Sequence, residues 1–183
     1  MRSRPQYAPF KLDPSGRAHL VVTSLDTPPE GIDNSLANIE TWVVKHLGAG
    51  VPAPATPCAR PFRSSTELLT QLSHRLQRET AGLRLYAIGS EAFVWDVYNA
   101  ATALGMHPSE IFLHRAGALH RRVYCTHCRT IIEDVPVNIV TCPCCEANLF
   151  VRDHFSKRLA AFMGIKVDAE VPGEVPQAEV FMS

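Results

Sequence analysis

The sequence predicts an α/β chain in two parts: a small domain on a parallel sheet, then a three-stranded β module held by a metal ion. Three observations carry this expectation. From residue 64 onward, helix-period and strand-like segments alternate, which implies parallel strands joined by right-handed crossovers. The alternation stops near Gly117-Ala118. Five of the six cysteines then fall within residues 125–145, in paired CxxC spacing rather than the dispersed spacing of a disulfide framework.

Residues 1–16 are polar and proline-bearing, and read as an arm. His19-Leu20-Val21-Val22-Thr23 reads as a short buried strand leading into the turn-rich 26–31 segment. Asn34 or Ser35 is placed to cap a helix carrying Leu36, Ile39, Val43 and Leu47 on one face, with Gly48 as its stop. Pro52, Pro54, Pro57 and Pro61 make residues 48–62 an extended connection. Ser64 and Glu67 stand in capping-box spacing ahead of Leu68, Leu69, Leu72 and Leu76, an amphipathic helix closed by Gly82. The strand Leu83-Arg84-Leu85-Tyr86-Ala87-Ile88 turns at Gly89-Ser90 into a helix burying Phe93, Val94, Val97, Ala101 and Leu104, with Gly105 as its stop. Ile111-Phe112-Leu113 is the next strand. Residues 17–117 are thus expected to form a small Rossmann-like domain.

Residues 118–155 have the pattern of a three-stranded zinc ribbon. Thr130-Ile131-Ile132 and Val137-Asn138-Ile139-Val140 are expected as the two arms of one hairpin, with Leu149-Phe150-Val151 leaving the second knuckle. In the last part, 156–183, Phe155 to Met163 reads as a short helix with Leu159 and Phe162 on one side. The acidic, proline-containing tail after Lys166 reads as an extended segment that orders on a partner.

The chemistry lies in Cys125-Thr-His-Cys128 and Cys142-Pro-Cys-Cys145, separated by thirteen residues. Two knuckles of this spacing can turn four sulfurs inward into a closed tetrahedral site. Zinc favours such a site because it takes four soft or borderline ligands and has no redox chemistry of its own. A four-sulfur iron site and metal-free reduced thiols are the alternatives. Cys144 competes with its neighbours for a ligand position and His127 could replace a thiolate, but the two-residue spacing favours Cys125, Cys128, Cys142 and Cys145. Cys58 reads as a small apolar filler.

Other classes find less support. The formal charge is zero, which argues against a sequence-independent nucleic-acid binder. No run approaches the roughly 18 apolar residues of a membrane helix, and the start lacks a secretory signal, so a cytoplasmic protein is expected. His19, His46, His74, His107, His114 and His120 are scattered, with no carboxylate at triad or metal spacing, and Ser90 lacks the nucleophile-elbow frame. No catalytic residue is expected. Arg115, Arg121 and Arg122 form a modest basic stretch, either solvated or facing an acidic partner.

Two resemblances sharpen this reading. Residues 83–113 resemble the last βαβ unit of the NAD(P)-binding domain in ferredoxin-reductase-type proteins. There, Gly89 and Ser90 would be the weak candidates for cofactor contact. Ile88 and Ser90 replace the family's cysteine and proline, and the first strand lacks a glycine-rich phosphate turn. A degenerate scaffold is therefore favoured over a retained nucleotide site.

The second resemblance is wider. The segment 83–104, Arg122-Val123-Tyr124-Cys125-Thr126-His127-Cys128, Cys142-Pro143-Cys144-Cys145 and Val151-Arg152-Asp153-His154-Phe155-Ser156 together resemble the small zinc-ribbon subunit of bacterial dimethylamine monooxygenase. The resemblance implies one structural Zn2+ and a place in a complex that uses NADPH and O2 to convert dimethylamine into methylamine and formaldehyde. Haem, FMN and a [2Fe-2S] cluster would lie on partner subunits, the haem-bearing and flavin/iron–sulfur reductase chains. This chain would be a non-catalytic accessory. A stand-alone NAD(P)-binding oxidoreductase domain with a structural ribbon is the competing reading.

Overall fold

A computed structural model describes residues 3–25, 38–45, 59–79 and 81–182. The chain forms two compact units, one spanning Tyr7–Gly117 and the other joining Ala118–Ser183 with Met1–Gln6.

Among the described residues, the first unit contains a five-stranded, all-parallel sheet. Its strands are β1 (Ala18–Thr23), β2 (Ile39–Val44), β3 (Ala59–Phe62), β4 (Leu83–Gly89) and β5 (Ile111–Arg115), in the order β3-β2-β1-β4-β5. The direction of winding reverses between β1 and β4, so their carboxyl ends form a topological switch point. Helices α1 (Ser65–Leu76) and α2 (Glu91–Ala103) pack against one another. Ser64 Oγ accepts the Glu67 amide at 3.1 Å, and the Glu67 carboxylate accepts the Arg63 amide at 2.8 Å, fixing the start of α1. At the end of α2, Gly105 takes φ +88° and donates to the Thr102 carbonyl, while Met106 donates to the Ala101 carbonyl. That is the Schellman stop, which needs a residue without a Cβ penalty at this position.

Strand alternation sorts the core. Val21, Tyr86 and Ile88 form a buried cluster with Phe10, Leu12 and Phe112 packed on it. The N-terminal segment therefore covers the sheet at this cluster. It is fastened at several points: Phe10 meets Tyr86 edge-on at 5.7 Å, the Asp13 amide donates to Tyr86 Oη at 2.9 Å, and Arg84 pairs with Asp13 at 2.8 Å. Farther back, Tyr7 donates to Glu91 at 2.7 Å and accepts from Trp95 Nε1 at 2.9 Å. Burial and the Glu91 carboxylate hold the Tyr7 hydroxyl far above its ordinary pKa, so it remains a donor.

Two expectations for this unit are corrected. The helix expected on Ile39 and Val43 is strand β2, paired in parallel with both β1 and β3. A strand buried on both faces reads as a continuous apolar run, and Thr41, Trp42, Val43 and Val44 are all buried. That run also satisfied helical spacing. Asn34, Ser35, Leu36, Leu47 and Gly48 lie outside the described residues, as do His46 and Cys58. The proline-rich connection also ends sooner than expected, because Ala59–Phe62 is edge strand β3. Pro61 is tolerated there, since an edge strand leaves one row of amides unpaired.

The second unit is a sheet of five strands: β6 (Arg121–Cys125), β7 (Ile131–Val135), β8 (Ile139–Thr141), β9 (Asn148–Ser156) and β10 (Ala161–Lys166). Their order is β7-β6-β10-β9-β8. The four-cysteine β module has the character of the expected ribbon, but the pairing of 130–132 with 137–140 is corrected: β7 and β8 lie on opposite edges. Each knuckle has its own hairpin, β6–β7 and β8–β9, and β10 runs between them, parallel to β6 and antiparallel to β9. The expected helix from Phe155 to Met163 is replaced by the end of β9, a turn with Ala160 at φ +49°, and β10. Phe155 and Phe162 face each other across this hairpin, with ring centroids 5.0 Å apart. Their seven-residue spacing fits a helix face and a tight antiparallel pair equally well. Among the described residues no helix is long and apolar enough to cross a membrane.

Candidate metal centre

The two knuckles are built alike. In the first, the Cys125 amide donates to the Thr130 carbonyl at 2.9 Å and the Arg129 amide donates to the Cys125 carbonyl at 2.9 Å. In the second, Cys142 donates to Ala147 at 2.9 Å and Glu146 to Cys142 at 3.0 Å. Arg129 and Glu146, the residues just after each second cysteine, take φ +67° and +57°. The left-handed residue folds the chain back so that both sulfurs of a pair point to the same side.

The four thiols converge. Sγ of Cys125, Cys128, Cys142 and Cys145 all lie within 4.8 Å of one another. Cys125 approaches Cys145 at 3.8 Å and Cys128 approaches Cys142 at 3.5 Å. A tetrahedron with metal–sulfur bonds of about 2.3 Å has edges of about 3.8 Å, so the arrangement fits one ion held by sulfur alone. These separations far exceed the roughly 2.05 Å of a disulfide. Cys125 and Cys142 are buried beside Leu149, with Ile132, Val140 and Ala147 packed around the group. Cys144 and His127 are exposed and lie outside it.

The surroundings set the thiols apart electrostatically. The Thr130 hydroxyl, 3.2 Å from Cys128 Sγ, draws that thiol down to about 6. Burial pushes Cys125 up. At Cys145 the Ala147 amide pulls the pKa down, but burial and the neighbouring sulfurs outweigh it and push the thiol up to about 12. Metal binding at such a site requires the thiols to be deprotonated, so it releases protons.

One residue that sequence reasoning passed over holds the knuckles together. Gly164 on β10 pairs with Cys125 on one side and Val151 on the other. Its carbonyl accepts both the amide and the hydroxyl of Thr126, each at 3.0 Å. A Cβ at this position would meet Val123 Cγ1 at 2.7 Å. A glycine inside the apolar run Ala161-Phe162-Met163-Gly164-Ile165 was the available signal, since such a glycine marks a close backbone approach.

The basic stretch is also resolved into specific contacts. Arg121 is buried, its guanidinium 4.2 Å from the Phe162 ring centroid and 4.0 Å from that of Phe181, and it pairs with Asp153 at 3.2 Å. Arg122 pairs with Glu133 at 2.7 Å. In the first unit, Gly89 takes φ +147° against Ser24 and Phe93, and Ser90 Oγ caps α2 by accepting the Phe93 amide at 3.3 Å. Both weak candidates thus have structural duties at the switch point. His19 is buried and stacked on Tyr86.

Fold and site together define a two-unit protein: a parallel α/β domain and a β module with a closed four-cysteine cluster suited to a metal ion. The chain belongs to the DmmA-like family of dimethylamine monooxygenase subunits. The N-terminal domain of that family matches residues 44–111 and its C-terminal domain residues 122–165. A heme-dependent oxidative N-demethylase delta subunit from Ectopseudomonas mendocina (strain ymp) is 35% identical over 170 residues, covering 93% of this chain and 91% of the relative. No solved structure matches the chain.

Proposed function

We propose that this chain is a non-catalytic structural subunit of a multisubunit amine N-demethylase, and that Cys125, Cys128, Cys142 and Cys145 hold one structural Zn2+. The observation that carries the reading is the closed ligand set. Four sulfurs within 4.8 Å of one another would fill all four tetrahedral positions, leaving no site on the metal for substrate or water and suiting zinc as a fastener. Bound zinc would hold the thiolates deprotonated and tie the β6–β7 and β8–β9 hairpins together.

The assembly reading draws on the relative's name, a delta subunit of a heme-dependent oxidative N-demethylase, and on the family's dimethylamine monooxygenase description. The complex would oxidise dimethylamine with NADPH and O2 to methylamine and formaldehyde. Haem, FMN and [2Fe-2S] would reside on partner subunits in the cytoplasm. The test is co-expression with the haem-bearing and flavin/iron–sulfur reductase subunits. This chain should co-purify with them, and a Cys142→Ser chain should not. Amine-dependent NADPH oxidation by this chain alone would overturn the reading.

A second reading rests on the strand order β3-β2-β1-β4-β5, whose β1/β4 switch point is where α/β sheets bind nucleotides. The buried Glu91 carboxylate in the first turn of α2 argues against it, because it places negative charge where a phosphate would need to sit. Equilibrium dialysis with NADPH tests this directly: micromolar binding would favour the second reading.

A further inference from the structure

Cavities on the two units differ in how they use buried polar groups. In the β module, a groove of about 820 Å³ is walled in part by the chain's own C-terminal segment, which folds back on this unit. The Asn138 amide donates to the Glu179 carbonyl at 2.9 Å, the Glu179 amide donates to Asn138 Oδ1 at 2.8 Å, and the Phe181 amide donates to the Pro136 carbonyl at 3.1 Å. The buried cation of that groove, Arg121, is already committed to Asp153 and to the rings of Phe162 and Phe181.

The α/β unit carries the opposite case. A cavity of about 390 Å³ opens beside the start of β1, lined by Lys11, Leu12, Pro14, Gly16, Arg17 and His19 among others. His19 is only 7% exposed. Its Nδ1 lies 3.2 Å from Tyr86 Oη, an oxygen that already accepts the Asp13 amide at 2.9 Å. Among the described residues the Tyr86 hydroxyl has no other acceptor. Its proton therefore goes to His19 Nδ1, and the neutral imidazole carries its own proton on Nε2. Among the described residues nothing accepts from Nε2. That edge of the ring faces Gly16, where a Cβ would meet Cε1 at 2.8 Å and Nε2 at 3.3 Å. The glycine keeps open the space in front of a buried donor.

The charge around this donor is one-sided. No carboxylate is among the described residues that line the cavity. Lys11 and Arg17 are exposed, and among the described residues neither side chain has an ion-pair or hydrogen-bond partner. The nearby Asp13 carboxylate is engaged elsewhere, with one oxygen on Arg84 at 2.8 Å and the other accepting the Ser15 amide at 2.9 Å. Leu12 and Pro14 add apolar wall, and the volume falls at the small end of ligand pockets.

We infer that this cavity binds a small organic anion. Its carboxylate or phosphate accepts from His19 Nε2 and is drawn by Lys11 and Arg17, while its apolar body lies against Leu12 and Pro14. The site stands at the amino end of β1, away from the β1/β4 switch point at the carboxyl ends of the strands. It depends neither on the metal centre nor on the assembly reading.

The experiment titrates the full-length chain with phenyl phosphate and, separately, with benzoate, following the His19 imidazole by long-range nitrogen–proton NMR correlation. Before either addition, the protonated nitrogen should be Nε2. One or both anions should shift the Nε2 signal saturably, and which of them does so identifies the head group. Lys11→Met, at an exposed and unpaired position, should weaken that binding about fivefold, the effect of removing one cation close to an anion in water. Benzyl alcohol should leave the signal in place. No saturable shift with either anion, or unchanged affinity in a chain carrying both Lys11→Met and Arg17→Met, would overturn the site. An equal response to benzyl alcohol would overturn the anionic class of ligand.

Discussion

Replacing Gly164 with alanine tests whether β10 is the spacer that lets the two knuckles meet. The added methyl would lie 2.7 Å from Val123 Cγ1, 3.2 Å from Leu149 Cδ1 and 3.4 Å from the Tyr124 carbonyl oxygen. Carbon atoms prefer about 3.5–4.0 Å, so the first contact overlaps by about 1 Å. Val123 cannot yield easily, being fully buried and β-branched. Overpacking of this kind costs about 1–3 kcal/mol, offset by the roughly 0.5–1 kcal/mol that alanine gains over glycine in the unfolded chain. The net is a loss of about 1–2 kcal/mol, a factor of about 5–30 in an equilibrium constant. Because metal binding and folding are coupled in such sites, the loss should appear twice. Competition with a chromophoric chelator should show metal affinity lowered by about that factor, and the melting temperature of the unit should fall by roughly 5–15 °C. A Gly164→Ala chain with wild-type melting and wild-type chelator competition would refute the spacer argument.

Other perturbations separate the parts of the account. Glu146→Gly and Arg129→Gly relieve left-handed residues that carry a Cβ, and each should raise the stability of the metal-loaded unit by about 0.5–1 kcal/mol in denaturant titration. Cys142→Ser should abolish metal retention and the β-module's cooperative melting, whereas Cys144→Ser, at an exposed position outside the cluster, should leave both intact by metal analysis and calorimetry. Gly89→Ala combines a left-handed φ with a clash against Ser24 and should destabilise the α/β unit by more than about 2 kcal/mol in thermal melts. Hydrogen bonding from Arg84 holds the Asp13 carboxyl down at about 2. The stabilisation is therefore present above the unfolded value near 3.9 and fades as the pH drops toward 2. Asp13→Asn should flatten that part of the stability profile in acid titration.

The legible features were those with strong local signals. Ser64 with Glu67, Gly105 behind Ala101, and the alternation of β4, α2 and β5 are short-range patterns, and each forms the element that its spacing implies. The knuckle spacing likewise selects the four sulfurs that the fold brings within 4.8 Å. The misread segments were those where one pattern fits two periods. Ile39 and Val43 fit a helix face and a strand buried on both sides, and Phe155 and Phe162 fit a helix and a hairpin. The placement of β10 between the hairpins could not be read locally, because it depends on pairing Gly164 with Cys125, thirty-nine residues earlier in the chain. The folding-back of the tail has the same origin: Phe181 finds its place over Arg121, which only tertiary structure brings near.

The central claim is a single redox-silent ion gripped by four sulfurs. Elemental analysis of the purified full-length chain, with its absorption spectrum, tests it most directly. The account predicts one zinc per chain, no visible absorption, and loss of the metal on Cys142→Ser. Stoichiometric iron with thiolate charge-transfer bands, or a folded chain with no metal bound, would contradict it.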